Sequence, residues 1–314
     1  MPATSPALVD ELLARMLALR DSAYAEATTN AYEGDLRRFE SFCKALGVSW
    51  FPATPRTVAL YVADLDLRGR KPSTISRALA AISQLHQAAE LHSPSRIGEA
   101  KQSLRGVKRT RGTRPSKKMP LLVADLRAIS ASLDDSAAAV RDRALLVVGF
   151  AAALRRSELV ALDVQDITFD NNGMRVFIKR SKRDQEGAGQ EVGVPYGSHA
   201  LTCPVRAMRA WLERSQITEG AVFRACTRRG KVGKALAPGD VGRILKRRAA
   251  AAELESSALG AHSLRRGFIT AAARAGVAER DIMRQSRHQS AESLREYIEA
   301  AGLFENNAAA RVGL

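Results

Sequence analysis

"GFAAALRRSELVALDVQDI" (149–167) is the end of an apolar run that closes on two arginines, Arg155 and Arg156, followed by Glu158. The apolar part, 144–154, is too short to span a bilayer and reads as a buried helix. Arg155 and Glu158 are three residues apart and share a helix face. A guanidinium held beside an apolar core presents a rigid fork to a phosphate. The same pair also serves as a surface ion pair that closes a helix, and the stretch alone does not separate the two. The segments on either side decide what kind of fold holds it.

Immediately around it, 119–133 and 137–162 carry helical patterns. Downstream the period changes. In 173–181, Met174, Val176 and Ile178 alternate with Arg175, Phe177 and Lys179, and 190–196 alternates Val192 and Val194. These two stretches predict an antiparallel ribbon joined by "KRDQEGAG" (182–189). Helices resume from Cys203, and 237–254 carries Arg243, Lys246, Arg247 and Arg248 about its middle.

Upstream, the first hundred residues read as helices. Leu8, Leu12, Leu13, Met16 and Leu17 recur at helical spacing, 28–47 opens on threonines and ends at Gly47, and 54–69 and 71–91 open on Thr-Pro and Lys-Pro. Between the halves, 108–119 holds six Lys or Arg, no acid, and both Gly112 and Pro115. The predicted organisation is a helical domain over 1–107, a basic linker over 108–119, and a larger domain over 120–314. The fold class is mainly α, with a small antiparallel β-sheet in the second domain.

With 314 residues, 46% hydrophobic and 26% charged, the chain has the material for two packed domains. A net charge of +16 opposes compact folding and points to an anionic partner, nucleic acid first and an anionic membrane second. The basic linker residues Lys108, Arg109, Arg111 and Arg114 form either a strap that closes two domains on DNA or a solvated connector. Three scattered cysteines exclude a disulfide framework, and the N-terminus lacks a secretory pattern, so a soluble cytoplasmic protein is expected. No nucleotide-binding Gly-x4-Gly-Lys-Ser/Thr, no His-Glu-x-x-His and no acidic pair for two metals occurs. No cofactor is expected: if the chain acts on phosphates, the missing motifs predict that it does so without ATP and without metal.

Other candidates lie further out. His262 and Arg265 are at i, i+3 in "HSLRRGF" (262–268) and face one side of a helix. Lys182 lies in the ribbon loop, where it reaches a neighbouring cleft or is simply solvated. "RHQSAESLREYI" (287–298) holds His288 and Tyr297, and alone its tyrosine reads as a packing residue.

Taken in order, Arg155, Lys182, His262-x-x-Arg265, His288 and Tyr297 resemble the tyrosine recombinase (phage integrase) family. The segments "LRRSELVALDVQDI", "RSKRDQEG", "HSLRRGF" and "RHQSAESLREYI" carry that resemblance over 120–300. Stretches 37–65 and 74–91 look like the core-binding domain of the Cre type. The resemblance implies the catalytic fold of that family and a site-specific recombinase that cuts and rejoins DNA through a 3′-phosphotyrosine and a Holliday junction. Tyr297 would be the nucleophile. Arg155, Arg265 and His288 would stabilise the phosphate charge, His262 would accept a proton, Lys182 would protonate the leaving oxygen and Glu158 would orient the site. Lys71, Thr74, Arg77, Arg243, Lys246 and Arg247 are expected at the DNA. The implied partners are duplex DNA with an inverted-repeat site and a homotetramer built through the tail 302–314. Three features depart from the family pattern. Arg287 stands where glycine is usual and is read as a phosphate contact; Arg183 replaces a common threonine; and "IEA" after Tyr297 lacks a basic residue. The rival readings are a type IB topoisomerase, which uses a similar residue set, and a non-catalytic DNA-binding regulator.

Overall fold

The computed structural model describes residues 26–112, 118–179, 189–288, 290–292 and 294. The chain divides into two compact units, Met1–Ser116 and Lys117–Leu314.

The first unit contains helices α1 (Glu26–Ala45), α2 (Pro55–Leu67), α3 (Pro72–Ala88) and α4 (Gly98–Arg111). Thr54 caps α2 as its sequence predicts, its Oγ1 accepting from Thr57 N at 3.1 Å. By contrast α1 starts ahead of the threonines expected to cap it, so Thr28 and Thr29 lie inside the helix. Phe39, Tyr61, Val62, Ile75, Leu79 and Ile82 form the core, with the Phe39 and Phe42 rings each 5.0 Å from that of Tyr61. The basic linker is not irregular throughout. Lys108, Arg109 and Arg111 form the last turn of α4, which ends at Gly112 with φ +71°. The division between units falls after Ser116, inside the stretch 108–119 read as the linker.

The second unit begins with an extended stretch. Met119 N donates to Ala258 O and Leu121 N to Ser263 O, both at 3.0 Å, so the helix expected from 119 is confined to α5 (Val123–Ala131). Next comes α6 (Ala137–Ala151), whose residues Ala144 to Phe150 are all buried. A helix apolar on every side belongs at the centre of a domain. Gly149 permits this: a Cβ there would lie 2.8 Å from Leu159 Cδ2. The run 137–162 is two helices, because the chain turns after Ala151 and restarts as α7 (Arg156–Val160).

Strands β1 (Ile167–Phe169), β2 (Gly173–Ile178) and β3 (Gln190–Pro195) form an antiparallel sheet in that order. Val176 faces both Ile167 and Val192, and Met174 faces Val194. Met174, Val176, Ile178, Val192 and Val194 are buried, as their alternation predicts. The strand β1 was not expected, nor was the hairpin β4 (Arg224–Cys226) and β5 (Val232–Ala235), which is too short to show a period. Around the sheet and α6 lie α8 (Pro204–Ser215), α9 (Pro238–Ala251), α10 (His262–Arg274) and α11 (Glu279–Ser286). Among the described residues, no helix is long and apolar enough to cross a membrane.

Candidate active site

The site is organised by the C-terminal end of α6. Between Ala151 and Arg155 the chain makes a turn in which Ala153 adopts φ +48°. That left-handed conformation costs a residue bearing a Cβ about 1 kcal/mol or more. The last carbonyls of a helix lack intrahelical donors, and side chains from α10, from α11 and from Arg287 just after it supply donors here. Gln285 Nε2 donates to Ala151 O at 2.9 Å, Arg287 Nη1 to Ala152 O at 3.1 Å and Arg265 Nη1 to Ala153 O at 2.8 Å. Cations at this end also oppose the negative pole of the helix dipole.

The turn places Arg155 as the first cap of α7. Glu158 folds back beneath it. Arg155 N donates to Glu158 Oε2 at 2.9 Å and Arg155 Nη1 to Oε1 at 2.6 Å. Arg287 Nη2 donates to Oε2 from the other side at 2.8 Å. Burial pushes the Glu158 carboxyl up, but the Arg287 charge and the bonds from Arg155 outweigh it and hold the group below its ordinary value. Burial also pulls Arg287 down, against the opposing pull of Glu158.

Arg287, expected as a phosphate contact, faces inward instead. Its side chain is 4% exposed and its Nη atoms bond Glu158 and the carbonyls of Ala152, Ala153 and Gln285. The physical reason is the buried Glu158 carboxylate, which attracts it.

Arg265 is buried in the first turns of α10, and its Nη2 lies 3.4 Å from His288 Nδ1 and 3.5 Å from His288 Nε2. Ser286 Oγ donates to Ile282 O at 2.6 Å and lies 2.7 Å from His288 Nδ1. His262 begins α10 and is exposed, one turn before Arg265. The structure therefore brings Arg155, Glu158, Arg265 and His288 together around one turn. Lys182 and Tyr297 lie outside the described residues, as do Arg114 and the tail 302–314. Leu294, three positions before Tyr297, is buried with Ile269 and Ile282.

The expected DNA-contacting residues are placed as follows. Lys71 is exposed at the cap of α3. Thr74 and Arg77 line a groove of about 800 Å³ in the first unit, together with Arg37, Arg38, Arg68 and Arg70. Those four arginines went unread in the sequence because two come from α1 and two from the turn after α2, and only packing brings the two pairs to one groove. Arg77 is held by Asp35, with Nε at 2.7 Å from Oδ2 and Nη2 at 3.1 Å from Oδ1. Lys108 and Arg109 are exposed, while Arg111 pairs with the side chain and carbonyl of Asp66. On α9, Lys246 is exposed, Arg243 pairs with Asp240, and Arg247 Nη2 reaches buried Asp142 at 3.1 Å. Asp142 also holds Arg248 Nε at 2.7 Å and Arg141 Nε at 2.5 Å, an anchor for α9 that the sequence did not reveal.

Residues 121–302 match the phage integrase family, and residues 14–92 match the phage integrase N-terminal SAM-like domain. The chain belongs to the phage integrase family. An integrase/recombinase XerD homolog of Selenomonas ruminantium is 36% identical to this integrase over 297 residues, 93% of this chain and 87% of the relative. The Cre recombinase of Escherichia phage P1 is 26% identical over 181 residues, 56% of this chain and 53% of Cre. Likeness to Cre thus spans about half of each chain, and likeness to the Xer-type relative spans most of both. Among solved structures, the XerH site-specific recombinase bound to its palindromic difH substrate, in a post-cleavage complex, shares the fold. Its TM-score is 0.62 at 20% identity, covering 88% of this chain and 80% of that one. This phage integrase is a site-specific recombinase, an enzyme of the tyrosine recombinase class.

Proposed function

We propose that the integrase cuts and rejoins duplex DNA with Tyr297 as nucleophile, forming a 3′-phosphotyrosine and releasing a 5′-hydroxyl. The observation that carries the site assignment is the convergence of Arg155, Arg265 and His288 about the turn after α6. The transition state gathers negative charge on the non-bridging oxygens, and two guanidiniums with an imidazole supply the donors it needs. One such donor is worth on the order of 10²–10³ in rate. His262 accepts the tyrosine proton and Lys182 protonates the leaving oxygen. The phosphotyrosine conserves the energy of the broken bond, so rejoining needs no nucleotide. Lys71, Thr74, Arg77, Lys108, Arg109, Arg111, Arg114, Arg243, Lys246 and Arg247 contact the DNA.

The same proposal has two pairs of protomers meeting on two inverted-repeat sites as a homotetramer, with strand exchange through a Holliday junction, in the cytoplasm. The sequence basis is the apolar tail residues Leu303, Phe304 and Val312. Light scattering of the complex with a paired site should give four protomers; one protomer per site would overturn the assembly.

The chemistry is tested on a nicked duplex carrying the sequence that the full chain selects from a random-sequence duplex pool. The wild type should form an adduct that survives denaturation, and Tyr297→Phe should form none. An adduct that persists in Tyr297→Phe sinks the assignment of the nucleophile, and no adduct in wild type sinks the chemistry. Exchange between two such sites, with no relaxation of a supercoiled plasmid that lacks them, separates a recombinase from a topoisomerase.

A further inference from the structure

We propose that Arg287 is a positioning residue for the cleavage step, serving as the second cation that keeps Glu158 from neutralising Arg155. This rests on Arg155 facing the scissile phosphate, the assignment proposed above.

The argument starts from the carboxylate. Glu158 is buried, and its two oxygens accept from Arg155 Nη1, Arg155 N and Arg287 Nη2. With Arg155 alone, the pair would be electrically neutral. The carboxylate would then repel a phosphate brought to Arg155 and cancel much of the attraction. With Arg287 present the group of three carries one net positive charge in a site of low dielectric, where a nearby charge counts for more than in water. Glu158 can orient Arg155 without discharging it.

The backbone points the same way. Arg287 has φ +57° and ψ 44°, a left-handed conformation in which glycine is at ease and arginine is not. Conformation by itself would therefore select glycine. What holds an arginine here is its guanidinium: it bonds the carboxylate and the Ala152 and Ala153 carbonyls of the same turn that presents Arg155. It also immediately precedes His288, so one residue ties both ends of the site together.

The test compares wild type, Arg287→Gly, Arg287→Met, Arg287→Lys, Glu158→Gln and the doubles Glu158→Gln/Arg287→Gly and Glu158→Gln/Arg287→Met. The probe is the nicked duplex built on the sequence selected by the full chain. Single-turnover adduct formation at saturating protein is measured separately from DNA affinity by fluorescence anisotropy, with thermal melting as the check on folding. Arg287→Gly and Arg287→Met should each slow adduct formation by on the order of tenfold, because an uncompensated carboxylate weakens a transition-state donor. DNA affinity should change by less than about threefold, since the group is not at the surface. Removing the carboxylate as well should restore the rate at least about threefold over the matching single variant, a coupling that independent losses would not produce. Arg287→Lys, which keeps the charge, should lie between wild type and Arg287→Gly. If Arg287→Gly fails to fold, the Met pair carries the same comparison. A wild-type rate in both neutral variants, a loss confined to affinity, or a double no faster than its single overturns the proposal and leaves the active-site reading standing. A wild type that forms no adduct overturns both.

Discussion

Glu158 lies between two guanidiniums with almost no exposure, and its ionisation is tied to the stability of the fold. Burial pushes its carboxyl up, but Arg287 and Arg155 together hold the folded value below the ordinary 4.5. A folded value below the unfolded one stabilises fully above about pH 4.5, and the contribution is lost as pH falls through the folded value. Glu158→Gln should therefore lower stability at pH 7 by about 3 kcal/mol, the cost of leaving a buried cation short of its partner. The variant should also lose less stability than wild type between pH 5 and pH 3, read by urea denaturation at each pH. Equal losses on that acid limb would show that Glu158 does not titrate with folding. The Arg155–Glu158 spacing was legible in the sequence, because i, i+3 sets both on one turn. The Arg287 contact was not: nothing local joins residues 158 and 287, and the unusual residue before His288 was visible only as a departure.

At the scale of elements, the site depends on how closely α10 approaches the extended stretch that precedes α5. A Cβ on Gly267 would lie 2.0 Å from Leu121 O and 2.9 Å from Phe150 Cε2. Backbone cannot yield as a flexible side chain does, so Gly267→Ala should destabilise by about 2 kcal/mol or more despite the better helix propensity of alanine. Gly106, exposed within α4 with nothing near its missing Cβ, is the control. Gly106→Ala should gain up to about 1 kcal/mol. Thermal melting of both variants checks the pair; a stable Gly267→Ala would mean that α10 does not press on Leu121. The ribbon β2–β3 was legible from its alternation, because one face of each strand is buried. The break between α6 and α7 was not. Ala152, Ala153 and Leu154 are good helix formers, and the turn is held by Leu154 N bonding Gly149 O and by donors from Arg265, Gln285 and Arg287, which are distant in sequence.

For the whole molecule, the +16 charge predicts how it meets DNA. Phosphate contacts release condensed counterions, so log K against log salt should fall with a slope steeper than about −5 if six or more phosphates are engaged. Anisotropy titrations between 50 and 300 mM salt measure it. A slope near −1 would mean that the basic residues serve other ends. Many of those residues are already paired within the protein, Arg77 with Asp35 and Arg247 with Asp142. Net charge alone therefore overstates the contacts available. By itself the sequence determined a basic, mainly helical chain with one alternating ribbon, and the ordered residue set that marks the family. Charge, helix content and the ribbon follow from composition and period, which are local or additive; the residue set marks the family by resemblance. The tertiary structure alone decided that the end of α6 is clasped by Gln285, Arg265 and Arg287, and that Arg287 turns inward to Glu158. The reason is that a buried carboxylate and the open carbonyls of a helix end take whichever donors the fold brings near, however far away those lie in the chain.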